Sequence, residues 1–362
     1  MTSAPTATFT ITQETRVRSG LSRVFLSRDG ILVALLVLLV LVACLAVPRF
    51  ASPVTTGYLL SNAVPALLIA LPMTLIIITG EIDLSVASIV AMSTVTVGSL
   101  TTAGWPFGAA MSAAVVVGVV AGAVNGVLIA FVGLPSLAVT IGTLALFRGL
   151  ALVVIGDRSV SASSYPDVAI DVVGAKLGAT GIPVLVIFIA LAVAIFAVIL
   201  HATPFGRGLF AVGYSKEAAR FVGIRVPRVK FVLYVLSGLM CGVVGVFWAL
   251  SYSARSDSAS GLELTVIAAV LLGGVSIFGG RGSILGAVAG VLVIAVITYA
   301  MRLQRIPDVT LVIVTGALLI LSVVGPSVFA AVRRSLHVRR VQRTLPRPAR
   351  AGAENAPHRR LT

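Results

Sequence analysis

The chain has 362 residues, of which 58% are hydrophobic and only 11% are charged, and its mean hydropathy is +1.11. An average soluble domain carries about a quarter charged residues, so this composition excludes a soluble enzyme and predicts an integral membrane protein. The net charge of +15 does not indicate nucleic-acid binding, because much of it is concentrated in three segments. Residues 1–30 hold four basic and two acidic side chains, 201–230 hold six and one, and 331–362 hold nine and one.

Ten apolar segments follow one another along the chain, each bounded by Gly, Pro or charged residues. About 17 to 25 such residues cross the hydrocarbon of a bilayer. The sequence therefore predicts an all-α polytopic membrane protein with about ten transmembrane helices, in which 31–325 form the membrane domain. The segments are Ile31–Val47, Leu59–Ile78, Val86–Leu100, Ala109–Phe131, Leu137–Ile155, Ile182–Leu200, Phe231–Leu250, Leu264–Phe278, Ile284–Met301 and Val309–Val324.

The basic segments predict the orientation of these helices. Cytoplasmic connections of membrane proteins are enriched in Lys and Arg, and an even number of spans returns both termini to the same side. We therefore expect residues 1–30, the 201–230 loop and residues 326–362 to be cytoplasmic. The last of these is Arg- and Pro-rich, which predicts a disordered tail lying against anionic lipid headgroups.

The short connection 80–85 breaks this charge pattern, since it carries Glu81 and Asp83 and no base. Two readings stay open: an ordinary turn, or a broken helix buried within the protein. A weak internal repeat also relates 122–129 to 286–293 and 82–86 to 262–266, with the matched helices antiparallel in the predicted topology. This repeat predicts two inverted five-helix halves with a solute route between them.

The 201–230 loop contains the pattern of a short capped helix. Ser215 is suited to cap a helix whose first turn holds Glu217, Ala218 and Ala219, and Gly223 is suited to end it. Small alanines permit close approach and charged side chains set register, which predicts docking to a soluble partner. The residues assigned to this coupling role are Gly206, Arg207, Glu217, Ala218, Ala219, Arg220 and Gly223.

Four ordered blocks within about 55–325 resemble the permease subunits of bacterial monosaccharide ABC importers, the family that serves ribose, xylose, rhamnose and related furanosyl signals. The blocks are 80–88, 142–149, 206–224 and 261–283. Glu81 and Ala87 stand where this family's motif has glycine.

The resemblance implies a transport subunit of the bacterial inner membrane that is not itself an enzyme. It implies dimerisation with a second permease copy or paralogue, two cytoplasmic ATPases that bind ATP and Mg²⁺, and a periplasmic or lipid-anchored sugar-binding protein. The sequence supports this division of labour, because none of its three lysines, Lys176, Lys216 and Lys230, lies in a phosphate-binding loop. We expect this chain to bind no cofactor of its own and to import a monosaccharide such as a pentose or rhamnose.

Polar residues within the apolar segments are candidates for the solute route or a gate: Asn62, Asp83, Ser85, Asn125, Thr140 and Glu263. Each has a structural alternative, since acids cap helices and small polar groups join helices. Arg148 is expected to extend outward to the membrane interface. An ion-coupled secondary transporter that uses Asp83 or Glu263 is the alternative function. No spacing of His or Cys indicates a metal site, and no catalytic residues are predicted.

Overall fold

The computed structural model describes residues 28–322 and 324. This part of the chain contains thirteen α-helices and no β-strand, and all ten predicted apolar segments are helical over most of their length. The predicted segment 1–30 lies largely outside the described residues, as does the whole of the predicted tail 326–362. The helices are α1 Arg28–Ala46, α2 Pro53–Ile78, α3 Val86–Thr102, α4 Phe107–Ala130, α5 Ser136–Ile155, α6 Asp167–Gly174, α7 Leu185–Ala202, α8 Pro204–Tyr214, α9 Lys216–Phe221, α10 Val226–Ser251, α11 Leu262–Leu272, α12 Ile284–Leu303 and α13 Asp308–Ser322.

Seven of these helices are long and apolar enough to cross a membrane, namely α1, α2, α4, α5, α7, α10 and α12. The shorter apolar helices α3, α11 and α13 complete the predicted ten. The prediction of a span at Leu264–Phe278 is wrong in extent, because α11 ends at Leu272. Gly274, with φ +85, ends it, and 273–283 continue as turns. A helix of 11 residues is about 16 Å long and reaches only about halfway across a bilayer.

The contacts divide the molecule into two faces. One face carries residues 79–85, 204–230 and 273–283, and we call it the basic face. There the Gly280 amide donates to the Ile78 carbonyl over 2.8 Å, and Lys216 pairs with Glu81. The opposite face carries the outer ends of α2, α5 and α10, where residue 160 pairs with residue 254.

The matched helices run in opposite directions, as the internal repeat predicts. α3 begins at the basic face whereas α11 ends there, and α4 ends there whereas α12 begins there. Helices of one half pack on helices of the other half: α4 packs most extensively on α10, and α12 packs on α2. The long helices α2 and α10 therefore lie at the centre of the fold.

Glycines allow α4 and α10 to approach closely. A Cβ added at Gly122 would overlap the Tyr234 carbonyl and the backbone of Gly238, and one added at Gly118 would overlap Gly238 and Gly242. Their spacing of four residues places them on one stripe of each helix, a common arrangement in membrane helix pairs.

Replacing Gly122 with leucine is expected to prevent this approach and to abolish most of the correctly folded protein. Overpacking of a tight contact costs about 1–3 kcal/mol or more, and here backbone atoms must move. The measurement is the monodisperse yield in detergent after size-exclusion chromatography. Gly142→Leu is the matched control, since nothing lies within 4 Å of a Cβ at Gly142. Equal yields of the two variants would contradict the assigned packing.

Candidate functional site

The predicted short helix in the 201–230 loop is present as α9. The Ser215 hydroxyl accepts a hydrogen bond from the Ala218 amide over 3.1 Å, and Gly223 adopts φ +85 immediately after the helix. The preceding helix α8 was not predicted. It begins with a similar cap, in which the Thr203 hydroxyl accepts from the Gly206 amide over 3.2 Å. The two helices form one compact element on the basic face.

The side chains predicted to dock a partner divide into an inner and an outer set. Ala219 is only 1% exposed and packs with Val212 and Val226, so its assignment to the docking surface is wrong. It faces inward because the helix must bury one apolar position against α8 and α10. Gly206 is also internal, since a Cβ there would overlap the Leu200 carbonyl. Arg207, Glu217, Ala218, Arg220 and Gly223 are exposed.

Large apolar side chains extend the exposed surface around α9. Phe221 is 92% exposed, and Val222, Tyr214 and Phe278 are exposed as well. Gly223 itself has open space around it, so only its left-handed backbone conformation constrains the residue type. We call Ala218, Phe221 and Val222 with the charged Glu217 and Arg220 the docking surface. Its mixture of apolar and charged groups is suited to a protein partner.

The connection 79–85 is a non-helical segment that is largely buried in the protein, although Gly80 is exposed, and we call it the buried segment. Glu81, Asp83 and Ser85 are all buried. The Tyr234 hydroxyl of α10 donates to the Ile82 carbonyl over 3.1 Å, and the Ile82 amide donates to the Ser136 hydroxyl of α5 over 3.3 Å. Of the two readings left open by the sequence, the structure therefore has backbone enclosed by protein rather than a solvent-exposed turn.

Asp83 is the centre of a buried polar network. Its Oδ1 accepts from the Ser85 amide at 3.0 Å and the Ser85 hydroxyl at 2.6 Å, and its Oδ2 accepts from the Ser237 hydroxyl at 2.9 Å. Asn125 of α4 donates to the Ser85 hydroxyl over 2.8 Å. The network thus joins the buried segment to a helix from each half, and Asp83 both orients the start of α3 and connects helices.

Glu81 connects the buried segment to the helices α9 and α10 by two ion pairs. Its carboxylate Oε1 lies 2.8 Å from Lys216 Nζ in α9 and 2.6 Å from Lys230 Nζ in α10. Burial raises the pKa of Glu81, but the hydrogen bonds from Lys216 and Lys230 outweigh it and leave that pKa below its ordinary value of 4.5. Glu81, which stands where the family motif has glycine, therefore forms ion pairs that join α9 and α10 to the buried segment.

The Glu81→Gln variant is expected to lose the ion pairs with Lys216 and Lys230 and to have a lower thermal stability at neutral pH. Because the folded-state pKa is depressed, the stabilisation is present above the ordinary pKa and is lost as pH falls through the folded-state value. The stability difference between wild type and variant should therefore hold from about pH 7 to about pH 5 and shrink below about pH 4.5. Thermal unfolding of both proteins across this range measures it. A pH-independent difference would contradict the ion-pair assignment.

The other predicted route residues lie apart from the network. Thr140 is buried, and its hydroxyl donates within α5 to the Ser136 carbonyl over 2.9 Å, the structural alternative noted for it. Asn62 and Glu263 are at the opposite face, in α2 and in the first turn of α11. Asp83 and Glu263 consequently do not form one ion site. Arg148 extends outward from α5, as predicted, and its guanidinium donates to the carbonyls of Ser256 and Ser258 in the outer connection at 2.8 and 2.7 Å.

Two functional features were missed from the sequence. Ser237 completes the Asp83 network, but one serine in a small-residue helix gives no signal before its partner is known. Lys216 and Lys230 were noted only as basic residues. The chain has three lysines, and Lys216 begins α9 while Lys230 lies nine residues after it, so their position could have suggested partners for a buried acid. In the part of the chain that the structure describes, no cluster of three His, Cys, Asp or Glu residues is suited to hold a metal ion.

Comparisons with known proteins show which family the chain is similar to. The family described as "Branched-chain amino acid transport system / permease component" matches residues 55–323. The Autoinducer 2 import system permease protein LsrD of Photorhabdus luminescens is 34% identical over 267 residues, 72% of this chain and 79% of that protein. Its counterpart in Photorhabdus laumondii is 33% identical over 303 residues, covering 82% and 90%, and that of Yersinia pseudotuberculosis is 32% identical over 326 residues, covering 88% and 96%. No solved structure matches the chain significantly.

Proposed function

The chain belongs to this family of transport-system permease components, and from that premise we propose that it is the membrane subunit of an ATP-driven importer for a monosaccharide-like solute. A permease of this family is a transport component rather than an enzyme. The proposal assigns ATP and Mg²⁺ to a cytoplasmic ATPase partner. Delivery of the solute is assigned to a periplasmic or lipid-anchored binding protein, and a second permease copy or paralogue completes the membrane part.

One observation carries the proposal: an exposed docking surface is connected by the Lys216–Glu81 ion pair to the buried segment. α9 presents Ala218 and Phe221 outward, while Lys216 of the same helix contacts Glu81 in the buried segment. Motion of a partner bound on α9 would therefore reach the network of Asp83 and the junction of the two halves. An ion-coupled carrier has no use for such a surface.

The orientation follows from the charge distribution. The basic face carries the 201–230 loop, with six basic residues against one acid, so we place it in the cytoplasm, where an ATPase is available. The opposite face then receives solute from the periplasm. Both termini are assigned to the cytoplasm on the same argument.

The proposed class of solute is based on the similar proteins, which are named as permeases of autoinducer 2 import systems. A small polyhydroxylated molecule is the class that we propose, and a pentose or rhamnose is one specific prediction within it. The family description names branched-chain amino acids, which differ chemically because they are zwitterions.

Reconstitution tests the proposed function. The chain is placed in proteoliposomes with a candidate ATPase and a candidate binding protein, sought first among the genes adjacent to its own, and uptake of labelled monosaccharides is followed with ATP and with ion gradients. ATP-dependent uptake that requires the ATPase and survives ionophores is the expected result. The chain alone should hydrolyse no ATP. Uptake driven by a proton or sodium gradient without the ATPase would instead support the secondary transporter that uses Asp83 or Glu263.

A further inference from the structure

A cavity of about 340 Å³ lies on the opposite face, between α2 of the first half and α10, α11 and α12 of the second. This volume is within the range of small-molecule sites, about 300 to 1,000 Å³. In secondary transporters built from inverted repeats, solute sites lie where the halves meet, and this cavity lies at the corresponding junction of the two halves. The cavity is on the face that is proposed to receive solute, well separated from α8 and α9.

Aromatic rings form part of the cavity wall. Trp248 and Tyr252 project from the end of α10 with their ring centroids 4.8 Å apart, and Tyr299 of α12 also lines the space. The faces of a sugar ring present C–H groups, which pack favourably on the electron-rich face of an aromatic ring. A wall of this kind is suited to a flat molecule whose polar groups point to its edges.

Hydroxyl and amide groups lie beside these rings. The Tyr252 hydroxyl donates to Asn62 Oδ1 over 2.8 Å, and Asn62 Nδ2 donates to the Tyr58 carbonyl over 2.7 Å. This chain of hydrogen bonds fixes the Tyr252 hydroxyl while leaving its oxygen able to accept from a ligand. Thr265 and Thr298 also line the cavity, and the Thr265 hydroxyl, which donates to the Gly261 carbonyl over 3.1 Å, can still accept a hydrogen bond.

The charge of the lining distinguishes between solute classes. Arg302, which pairs with Asp308 at 3.5 Å, is the one charged side chain among the lining residues that the structure describes, and none of them is a carboxylate. An amino acid would bring an ammonium group for which the lining offers no carboxylate partner. A neutral polyol needs no counter-charge.

We propose that this cavity is an entry site for a neutral monosaccharide, stacked on Trp248 and Tyr252 and hydrogen-bonded by Asn62, Thr265 and Thr298. The inference rests on the proposed function and refines it, since it selects a neutral sugar over a branched-chain amino acid. The site is open and mainly apolar, so binding is weak and suits a solute in transit rather than one held in storage.

The chain offers a direct probe of this site, because it contains only two tryptophans. Trp105→Phe leaves Trp248 as the sole tryptophan, and its fluorescence is recorded in nanodiscs holding the full chain. D-ribose, D-xylose and L-rhamnose are titrated, with L-leucine as the rival solute. We expect a saturable change with at least one of the sugars, and half-saturation at least tenfold higher when Asn62→Leu is added. If that variant does not accumulate, Thr298→Val serves for the same comparison.

Two controls separate binding from bulk effects. Trp248→Phe retains only Trp105, which is exposed in the turn before α4, and should show no saturable change. Ser112→Ala lies outside the cavity and should leave the sugar titration unaltered. A saturable response that persists unchanged with Asn62→Leu and Thr298→Val would overturn the assignment of the site.

Absence of any saturable change with the three sugars up to about 100 mM would overturn the inference, as would a response to L-leucine at lower concentration. Failure of this inference and failure of the proposed function are distinguishable. If ATP-dependent uptake proceeds in proteoliposomes and is insensitive to Asn62→Leu, the function stands and the entry site is wrong. If no ATPase is required, the function itself is wrong whatever the fluorescence shows.

Discussion

Replacing Ala218 with tryptophan is expected to reduce ATPase association and solute uptake at least tenfold while leaving the permease folded in the membrane. Ala218 is exposed on α9, so a large side chain meets a partner surface rather than the permease core. The change in intrinsic helix propensity is only about half a kcal/mol, and the Ser215 cap uses the backbone amide, which is retained. Co-purification of the ATPase, uptake of labelled sugar and permease abundance are measured together.

Ala219→Trp is the matched control, one residue along the same helix. Because Ala219 is buried against Val212 and Val226, the larger side chain should disrupt the packing of α9 on α8, at a cost of about 1–3 kcal/mol or more. Its thermal stability should fall, whereas that of Ala218→Trp should stay within about 0.5 kcal/mol of wild type. Normal ATPase association and uptake in Ala218→Trp would remove the main support for the docking surface.

Replacing Asp83 with alanine is expected to unfold or strongly destabilise the protein. The variant leaves two hydroxyls and one amide without their acceptor in a site that excludes solvent. Each buried group left unpaired costs about 1–3 kcal/mol, so three such groups cost about 3–9 kcal/mol. Thermal unfolding in detergent and the recovered yield measure the effect.

Asp83→Asn distinguishes a structural role from ion coupling. The amide oxygen can still accept from Ser85, and its NH₂ group can donate to the Ser237 hydroxyl, so we expect folding and most ATP-driven uptake to be retained. Thr140→Val, which removes one hydrogen bond within a helix, should have little effect. A folded Asp83→Asn protein without uptake would favour a carrier in which Asp83 binds the coupling ion.

Much of the architecture could be predicted because the bilayer imposes strong constraints on a sequence. A membrane helix must satisfy its backbone internally and be apolar over much of its length, so composition and run length alone located ten helices. The cap at Ser215 and the stop at Gly223 are equally local, since they depend on residues within one helical turn. The α9 helix was therefore correct in both its position and its ends.

The point at which a helix ends within an apolar run was less predictable. The run 264–278 remains hydrophobic beyond Leu272, yet α11 stops there because Gly273 and Gly274 end the helix and contacts with α12 fix the turn that follows. Hydrophobicity reports the surroundings of a segment and does not report its backbone conformation. The depth of 79–85 was left open for a related reason, since a short acidic connection can be exposed or enclosed.

The direction in which each side chain points depends on how the helices pack. Ala218 and Ala219 are adjacent residues of the same type, but Ala218 lies on the surface and Ala219 is buried, because α8 and α10 cover a single face of α9. Glu81 departed from the family motif without explanation until the fold placed Lys216 and Lys230, far along the chain, beside it. Local composition was enough to predict the membrane helices, the cap of α9 and the basic face. The Asp83 network, the ion pair of Glu81 and the aromatic cavity join residues more than a hundred positions apart, so they exist only once α2 and α10 have packed at the centre of the molecule.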